Sequence, residues 1–399
     1  MLQKIYAEAK KNERAVAGFL RELIAIKSLS SQEGNVIARI KQEMEKCKFD
    51  EITIDPMGNI IGRIGHGKHV IAFDAHVDTV DVGNPDNWKV DPFKGDEKDG
   101  IIYGRGACDM KGALASIIYG GKIIKDLGLE DDYTLYVVGS VQEEDCDGLC
   151  WQYIIKEDKL RPEVVVITEP TNLAVYRGHR GRMEIEVRTK GISCHGSAPE
   201  RGVNAVYKMA PIVLDIEKLN ERLGGEPFLG KGTVTIAEFR STSPSLCAVA
   251  DSATIHLDRR LAATDTLESA VKEIQDLPSV KAAGAEVVVL DYAVASWKGL
   301  TYPTQKYFPT WLLPENDPVL NTGVKAYEGL FGEKPVVSRW VFSTNGVAVM
   351  GMHGIKCIGF GPGNEIYAHM ATEHIPVEHL VKASAWYAAF PKTYLSELK

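Results

Sequence analysis

Three short runs of consecutive apolar residues, each followed by acidic or histidine side chains, most constrain the fold of this chain. The runs span residues 70–73, 133–141 and 164–167. Strands that are apolar on consecutive residues are typical of a mostly parallel sheet with both faces buried. The Ala- and Ile-rich residues 110–126 predict a crossover helix between the first two strands. We therefore predict an α/β protein, with polar side chains gathered at the carboxyl ends of its strands.

The hydropathy pattern changes near residue 180. Residues 182–188 alternate strictly between polar and apolar side chains, which predicts a strand with one face in water. The elements predicted after it are a helix (204–223), two strands (232–240 and 253–260), a helix (266–277) and a strand (286–292). This β-α-β-β-α-β order is typical of a ferredoxin-like α+β unit.

The α/β pattern resumes after this unit. Further helices are predicted at residues 12–27, 35–46 and 319–331 and from residue 376, and a further strand at residues 355–359. We therefore predict a first α/β segment at residues 1–180, an inserted α+β domain at 181–296, and a second α/β segment at 297–399.

Composition excludes several classes of partner. The 399 residues include 54 acidic and 46 basic side chains, a formal charge of −8, which disfavours nucleic acid and anionic membranes as partners. No window approaches the ~20 apolar residues of a transmembrane helix, and the charged N-terminus does not resemble a secretory signal. Seven cysteines, an odd number in a long chain, indicate a reducing compartment. We predict a cytoplasmic protein.

The side chains predicted to meet at the strand ends form a metal-ligand set. They are His76, Asp78, Asp109, Glu143, Glu144, Glu169 and His369. Taken singly, each has an ordinary structural role as a helix cap or a solvated loop charge. Together, two histidines and several carboxylates suit zinc, with cobalt or manganese as alternatives. The set has more carboxylates than one tetrahedral ion uses, which suggests two ions that share a bridging acid.

Within this set, two pairs of residues have a spacing that suggests a different role for each member. Glu143 and Glu144 are adjacent, so one can coordinate a metal while its neighbour faces the attacking water as general base. His76 and Asp78 are two residues apart and share one face of an extended backbone, so Asp78 can orient the imidazole of His76.

The order of these motifs resembles the M20 metallohydrolases, a family that includes acetylornithine deacetylases, succinyl-diaminopimelate desuccinylases, aminoacylases, carboxypeptidases and dipeptidases. The resemblance covers nearly the whole chain, with a closer likeness to a bacterial subgroup described as peptidases or selenium-metabolism-linked hydrolases. The matching motifs are Asp74-Ala-His76-Val-Asp78-Thr79, Trp88, Asp91-Pro92-Phe93, residues 103–112, Glu143-Glu144, Thr168-Glu169-Pro170, residues 191–196 with Pro199, and Ala368-His369 followed by Glu373.

The resemblance implies a role for each matching residue. One divalent metal ion, zinc by first preference, would be bound by His76, Asp109 and Glu169. A second would be bound by Asp109, Glu144 and His369, with Asp109 bridging. Glu143 would take a proton from water and return it to the leaving amine, and Asp78 would orient His76.

The resemblance also assigns the inserted domain. It resembles the family's lid, which commonly forms the interface of a homodimer. His195 would then reach the carbonyl oxygen under attack, often from the partner subunit. An arginine of the lid would bind a substrate carboxylate. Arg259 and Arg260 both match, and the register favours Arg260. Asn345 stands where many members have aspartate, and we assign it to substrate binding.

The predicted function is hydrolysis of an amide, either an N-acyl or a peptide bond, in a small amino-acid-like substrate. Three alternatives remain open. A dipeptidase or carboxypeptidase would use the same machinery, as would an amidohydrolase acting on ureido or carbamoyl nitrogen. A non-catalytic binding protein is disfavoured because Glu143 and every expected ligand are present. A serine hydrolase is disfavoured because no G-x-S-x-G follows a predicted strand.

Overall fold

The computed structural model describes residues 1–398, so Lys399, the end of the third predicted segment, lies outside the described residues. The helices are α1 (Leu2–Lys11), α2 (Glu13–Ile24), α3 (Gly34–Lys46), α4 (Gly112–Leu127), α5 (Leu149–Lys156), α6 (Ala205–Arg222), α7 (Leu267–Gln275), α8 (Pro278–Ala283), α9 (Pro318–Phe331) and α10 (Val377–Glu397).

The strands of the first half are β1 (Glu51–Ile54), β2 (Ile60–Gly65), β3 (His69–His76), β4 (Asp96–Lys98), β5 (Ile101–Tyr103), β6 (Tyr133–Ser140), β7 (Val164–Ile167), β8 (Val175–Tyr176), β9 (Gly178–His179) and β10 (Gly181–Lys190). Those that follow are β11 (Gly225–Glu226), β12 (Gly230–Lys231), β13 (Thr233–Thr242), β14 (Ser252–Leu261), β15 (Glu286–Val289), β16 (Asp291–Tyr292), β17 (Thr304–Gln305), β18 (Tyr307–Phe308), β19 (Trp311–Leu312), β20 (Val337–Ser338), β21 (Lys356–Gly359) and β22 (His374–Pro376).

The largest sheet is mixed and has the strand order β1-β2-β6-β3-β7-β21-β8-β20. Its four middle strands, β6, β3, β7 and β21, run parallel to one another, whereas β2 and β8 on either side of them are antiparallel to β6 and β21. Successive residues of these strands enter different apolar clusters. In β7, for example, Val164 and Val166 join one cluster while Val165 and Ile167 join another. Both faces of the sheet are buried, which explains the consecutive apolar runs and confirms the predicted α/β class.

The second sheet is antiparallel and has the order β13-β14-β10-β15, with β18 also paired to β10. The alternation predicted for β10 is present: Met183, Ile185 and Val187 are buried in an apolar cluster formed with α6 and β14. The predicted helix 266–277 ends at Gln275, because Pro278 begins the separate helix α8.

The N-terminal region differs most from the prediction. Helix α1 was not predicted, although it buries Ile5 and Ala9 and contacts α10. The helix predicted for residues 12–27 ends at Ile24. No helix in residues 1–398 is both long and apolar enough to cross a bilayer. All seven cysteines, which lie within these residues, are free.

Candidate active site

The central sheet brings the predicted ligands to one edge. His76 is the last residue of β3, Glu143 and Glu144 follow β6, and Glu169 follows β7. These strands are parallel neighbours, so their carboxyl ends lie side by side. Asp109 reaches the same edge from the turn Ala107–Lys111, directly before α4.

The carboxylate of Asp109 lies between the two histidines. Its Oδ1 is 3.0 Å from Nε2 of His76, and its Oδ2 is 3.3 Å from Nε2 of His369. Nε2 of His369 is also 3.0 Å from Oε2 of Glu144. One carboxylate oxygen therefore faces each imidazole, which is the arrangement that a bridging ligand between two cations requires.

Two further carboxylates surround His76. Its Nε2 lies 3.5 Å from Oε1 of Glu169 and 4.0 Å from Oε2 of Glu143. The second oxygen of Glu143, Oε1, is buried and has no hydrogen-bond partner in the described part of the chain. A buried carboxylate oxygen without a partner is costly, so its presence indicates a group that acts on a ligand.

Asp78 is fully buried beside the site. Its backbone carbonyl accepts a 2.9 Å hydrogen bond from Nδ1 of His76, which leaves Nε2 facing Asp109. Its carboxylate accepts hydrogen bonds from the backbone amides of Glu143 and Glu144, at 3.2 and 3.1 Å, and from the Ser30 hydroxyl at 2.7 Å. Asp78 therefore orients His76 and fixes the loop with both glutamates.

Glu373 supports Asp109 from the far end of the sequence. Its Oε1 accepts hydrogen bonds from the backbone amides of Cys108 and Asp109, both at 2.9 Å, and its Oε2 accepts one from Arg105 at 2.5 Å. Burial raises the pKa of Glu373 to about 7, although Arg105 opposes this effect. Glu373 was identified from the sequence only as part of a motif, and its contact with the Asp109 turn was not predicted.

Burial and the proximity of several carboxylates shift the pKa values of the site residues. Burial, together with the negative charge of Glu169, raises the pKa of Glu143 well above its usual value. Burial likewise raises the pKa of Glu169. Hydrogen bonds with Asp109 and Glu144 raise the pKa of His369 to about 10. Burial disfavours charge on His76, yet the field of Glu169 and Asp109 raises its pKa.

This donor set fits divalent cations. Ligand atoms of His76, Glu143 and Glu169 all lie within 4.8 Å of one another, as do those of His76, Asp109 and Glu144. Imidazole nitrogens with carboxylate oxygens suit zinc, cobalt and manganese. Burial, with a smaller effect of neighbouring carboxylates, raises the pKa of Glu143 and Glu169, and bound cations would offset both effects.

A cavity of about 310 Å³ opens above these residues. Apart from the ligand set, its lining side chains are Asp147, Arg182, Arg260, Phe342, Ser343, Glu365 and Ala368. Arg182 lies on β10 and Arg260 on β14, directly opposite each other in the register of the second sheet. This sheet therefore supplies the cationic wall of the cavity.

The structure places the remaining predicted site residues differently. Arg259 is buried away from the cavity and pairs with Asp265 and Glu273, both at 2.9 Å. Because side chains alternate along a strand, Arg260 points the other way and lines the cavity. His195 lies in an exposed loop of the same chain, where its Nδ1 contacts the Ser197 hydroxyl at 2.7 Å, and it does not line this cavity.

Asn345 is a buried support of the sheet edge rather than a cavity side chain. Its Nδ2 donates to Oδ2 of Asp74 at 2.9 Å and to the Ser140 hydroxyl at 3.1 Å, while its Oδ1 accepts from the Gly148 amide at 2.8 Å. An aspartate here would face Asp74 without a proton to donate. The contact with Asp74 favours asparagine over aspartate at this position.

Several cavity residues were not assigned to the site from the sequence, among them Arg182 and Asp147. Arg182 pairs with Oδ1 of Asp147 at 3.2 Å, and Oδ2 of Asp147 accepts a hydrogen bond from the Ser343 hydroxyl. The cluster of arginines near residue 180 was a signal for Arg182, but its spacing did not show which arginine faces the site. Asp147 follows Glu143-Glu144 in a loop and had no distinguishing pattern.

The chain matches a known protein family over most of its length. The pattern of peptidase family M20/M25/M40 matches residues 72–393. The chain belongs to this family. Membership confirms the predicted family and identifies the M20 protein as a hydrolase that acts on amide C–N bonds.

Individual relatives agree with this membership. The protein YgeY of Escherichia coli K12 is 55% identical over 98% of this chain and 97% of its own length. Acetylornithine deacetylase of Proteus mirabilis is 31% identical over 51% of this chain and 54% of its length. The crystal structure of aminopeptidase PepT from Bacillus cereus matches the fold with a TM-score of 0.73, at 20% identity, over 96% of this chain and 99% of that one.

The contact between Glu373 and the Asp109 turn predicts an effect on metal affinity. Glu373→Gln removes the negative charge that the two backbone amides and Arg105 share, so Asp109 is held less firmly. We expect affinity for zinc to fall about tenfold to a hundredfold, measured by competition with a chelating dye. Glu378→Gln, an exposed change on α10, is the control. Unchanged affinity in Glu373→Gln would show that Asp109 needs no such support.

The contact between Asn345 and Asp74 predicts an effect on stability. Asn345→Asp places two buried carboxylates in contact and removes a donor, so we expect a loss of about 1–3 kcal/mol in the free energy of unfolding. Denaturant unfolding measures this loss. The double variant Asp74→Asn with Asn345→Asp restores a donor and an acceptor and should regain part of the stability. A double variant less stable than the single one contradicts this explanation.

Proposed function

We propose that this M20 protein uses two divalent metal ions, zinc by first preference, to hydrolyse an N-acyl or peptide amide in a small amino-acid-like substrate. The single observation that carries the proposal is the position of Asp109, with one carboxylate oxygen near His76 and the other near His369. Glu169 would complete one metal site and Glu144 the other. Bound divalent ions polarise a carbonyl group and lower the pKa of water toward ~7.

Glu143 is the proposed general base. Its Oε1 is buried, unpartnered and next to the ligands, so it can take a proton from the attacking water and return it to the leaving amine. Burial raises the pKa of Glu143, which favours return of the proton from its carboxyl to the leaving amine.

Residues 181–296 would act as the lid over this site. Arg260 would bind a substrate carboxylate through its planar guanidinium, in exchange for part of its present pairing with Asp258 at 2.8 Å. His195 would stabilise the developing oxyanion. Since His195 does not line the cavity of its own chain, this role requires a homodimer in which it reaches the site of the partner subunit.

Substitution of Glu143, the proposed base, should lower turnover without preventing metal binding. Glu143→Gln keeps the size of the side chain and leaves the other ligands unchanged, so the variant should still bind two metal ions. Its kcat should fall about 10²–10⁴-fold, measured on the best substrate found. Chelation should abolish wild-type turnover, and zinc, cobalt or manganese should restore it. Retained turnover in Glu143→Gln would refute the proposed base.

A substrate panel decides between the forms of this activity. N-acyl amino acids, dipeptides and ureido acids are compared by kcat/KM with the metal-loaded protein. Preference for the first class supports a deacylase, and preference for the second or third supports a peptidase or a ureidohydrolase. No turnover in any class would contradict the proposed function.

A further inference from the structure

The loop that bears Glu143 and Glu144 is flanked by two polar side chains that meet at one hydroxyl group. Gln142 precedes the pair and Asp145 follows it. Nε2 of Gln142 donates a hydrogen bond to Oη of Tyr292 at 3.0 Å, and this hydroxyl donates to Oδ2 of Asp145, also at 3.0 Å. The hydroxyl of Tyr292 therefore holds the loop on both sides of the proposed base.

Tyr292 lies where the chain leaves the second sheet. Two residues earlier, the backbone amide of Leu290 donates to the carbonyl of Glu184 on β10 at 3.0 Å. Tyr292 itself pairs with Thr304 in the short ladder of β16 and β17, and its ring is buried in the larger apolar cluster, which also covers one face of β7. Backbone pairing and packing therefore fix the ring from which the hydroxyl reaches the loop.

Gln142 adopts a backbone conformation that needs such support. Its φ is +58°, in the left-handed region that residues with a side chain rarely occupy. Its backbone amide donates to Oε1 of Glu33 at 3.1 Å, and its Nε2 donates to Oγ of Ser31 at 2.8 Å as well as to Tyr292. A strained backbone beside a functional group persists only where the surrounding contacts enforce it.

The hydroxyl of Tyr292 can serve both partners only if it keeps its proton. Burial, together with the negative charge of Asp145, raises the pKa of Tyr292, so the hydroxyl stays protonated across the neutral range. It therefore accepts a hydrogen bond from Gln142 and donates one to Asp145 at the same time.

The carboxylate of Glu143 depends on its loop for its position. Asp78 accepts hydrogen bonds from the backbone amides of Glu143 and Glu144, at 3.2 and 3.1 Å. Oε1 of Glu143, however, has no hydrogen-bond partner within residues 1–398. A general base must lie within hydrogen-bond reach of the proton that it takes, and a small displacement lowers the rate steeply.

We propose that Tyr292 is a positioning residue for the reaction, and that its hydroxyl acts through Gln142 and Asp145 to hold Glu143 at the attacking water. This inference rests on the proposed amide hydrolysis and adds a residue to it. Because Tyr292 adjoins the second sheet, the same contact fixes the base relative to the cationic wall of the cavity. Loss of the hydroxyl should therefore impair proton transfer more than the binding of substrate or metal, which use other side chains.

The test is Tyr292→Phe, which removes the hydroxyl and keeps the buried ring. The zinc-loaded protein is assayed on the best amide of the substrate panel, well below the Tm of each variant. We expect kcat to fall about tenfold or more while KM changes less than about twofold. The variant should still bind two zinc ions per chain.

Tyr302→Phe is the matched control. Tyr302 follows in the same connection, and its hydroxyl donates to Oε1 of Glu157 at 3.1 Å, outside the cavity. This variant loses the same kind of hydrogen bond, from a tyrosine hydroxyl to a carboxylate, and should keep the kcat of the wild type.

A double-mutant cycle distinguishes positioning from a structural role. Gln142→Met keeps the length of the side chain and removes its donor to Tyr292. Combined with Tyr292→Phe, it should lower kcat little further than the slower single variant does, because both changes break the same contact. A merely structural hydroxyl would lower the Tm and leave the kcat of the folded protein unchanged.

The outcomes separate this inference from the function on which it rests. Wild-type turnover with an unchanged kcat in Tyr292→Phe overturns the inference and leaves amide hydrolysis standing. A fall in kcat that Tyr302→Phe shares, or that loss of zinc accounts for, also overturns it. So do additive effects on kcat in the double variant. No turnover of any amide by the wild type overturns both.

Discussion

The crowding of buried carboxylates around two histidines is the constraint on which the rest of this structure depends. The parallel strands deliver their terminal side chains to one edge, and Asp109 joins them from the start of a helix. Acidic groups at such short separation are stable only with counter-charges. The fold supplies hydrogen bonds from backbone amides to Asp78 and Glu373, which support the loops that carry the candidate ligands.

A second layer of contacts determines the position of each ligand. Asp78 directs His76 through its backbone carbonyl and fixes the Glu143–Glu144 loop through its carboxylate. Asn345 reaches across the sheet edge to Asp74, two residues before His76. These supports do not touch the cavity, yet each holds a segment that does.

Sequence patterns could predict the buried strands and the candidate side chains that follow them because both are local. A buried strand is visible in the sequence as a run of apolar residues. The side chain that follows the run lies at the end of the strand, whatever position the strand has in the sheet. Contacts between distant segments could not be predicted in the same way. Asp74 and Asn345 are 271 residues apart, and nothing near Asn345 indicates a buried acid opposite. The side of β14 on which Arg260 faces the cavity also depended on packing that the Arg259-Arg260 pair does not encode. Within residues 1–398 the Glu365 side chain makes no hydrogen bond or ion pair, which no sequence pattern shows.

The span between Glu373 and the turn that it supports has a consequence for biosynthesis. The amides of Cys108 and Asp109 donate hydrogen bonds to the carboxylate of Glu373, which the ribosome adds more than 260 residues later. Until that late segment emerges, a nascent chain has neither His369 nor the support for Asp109, and so cannot assemble a competent centre. A truncated product would therefore lack the proposed metal centre and be an inactive hydrolase. The centre can therefore assemble only after the segment with His369 and Glu373 has been synthesised.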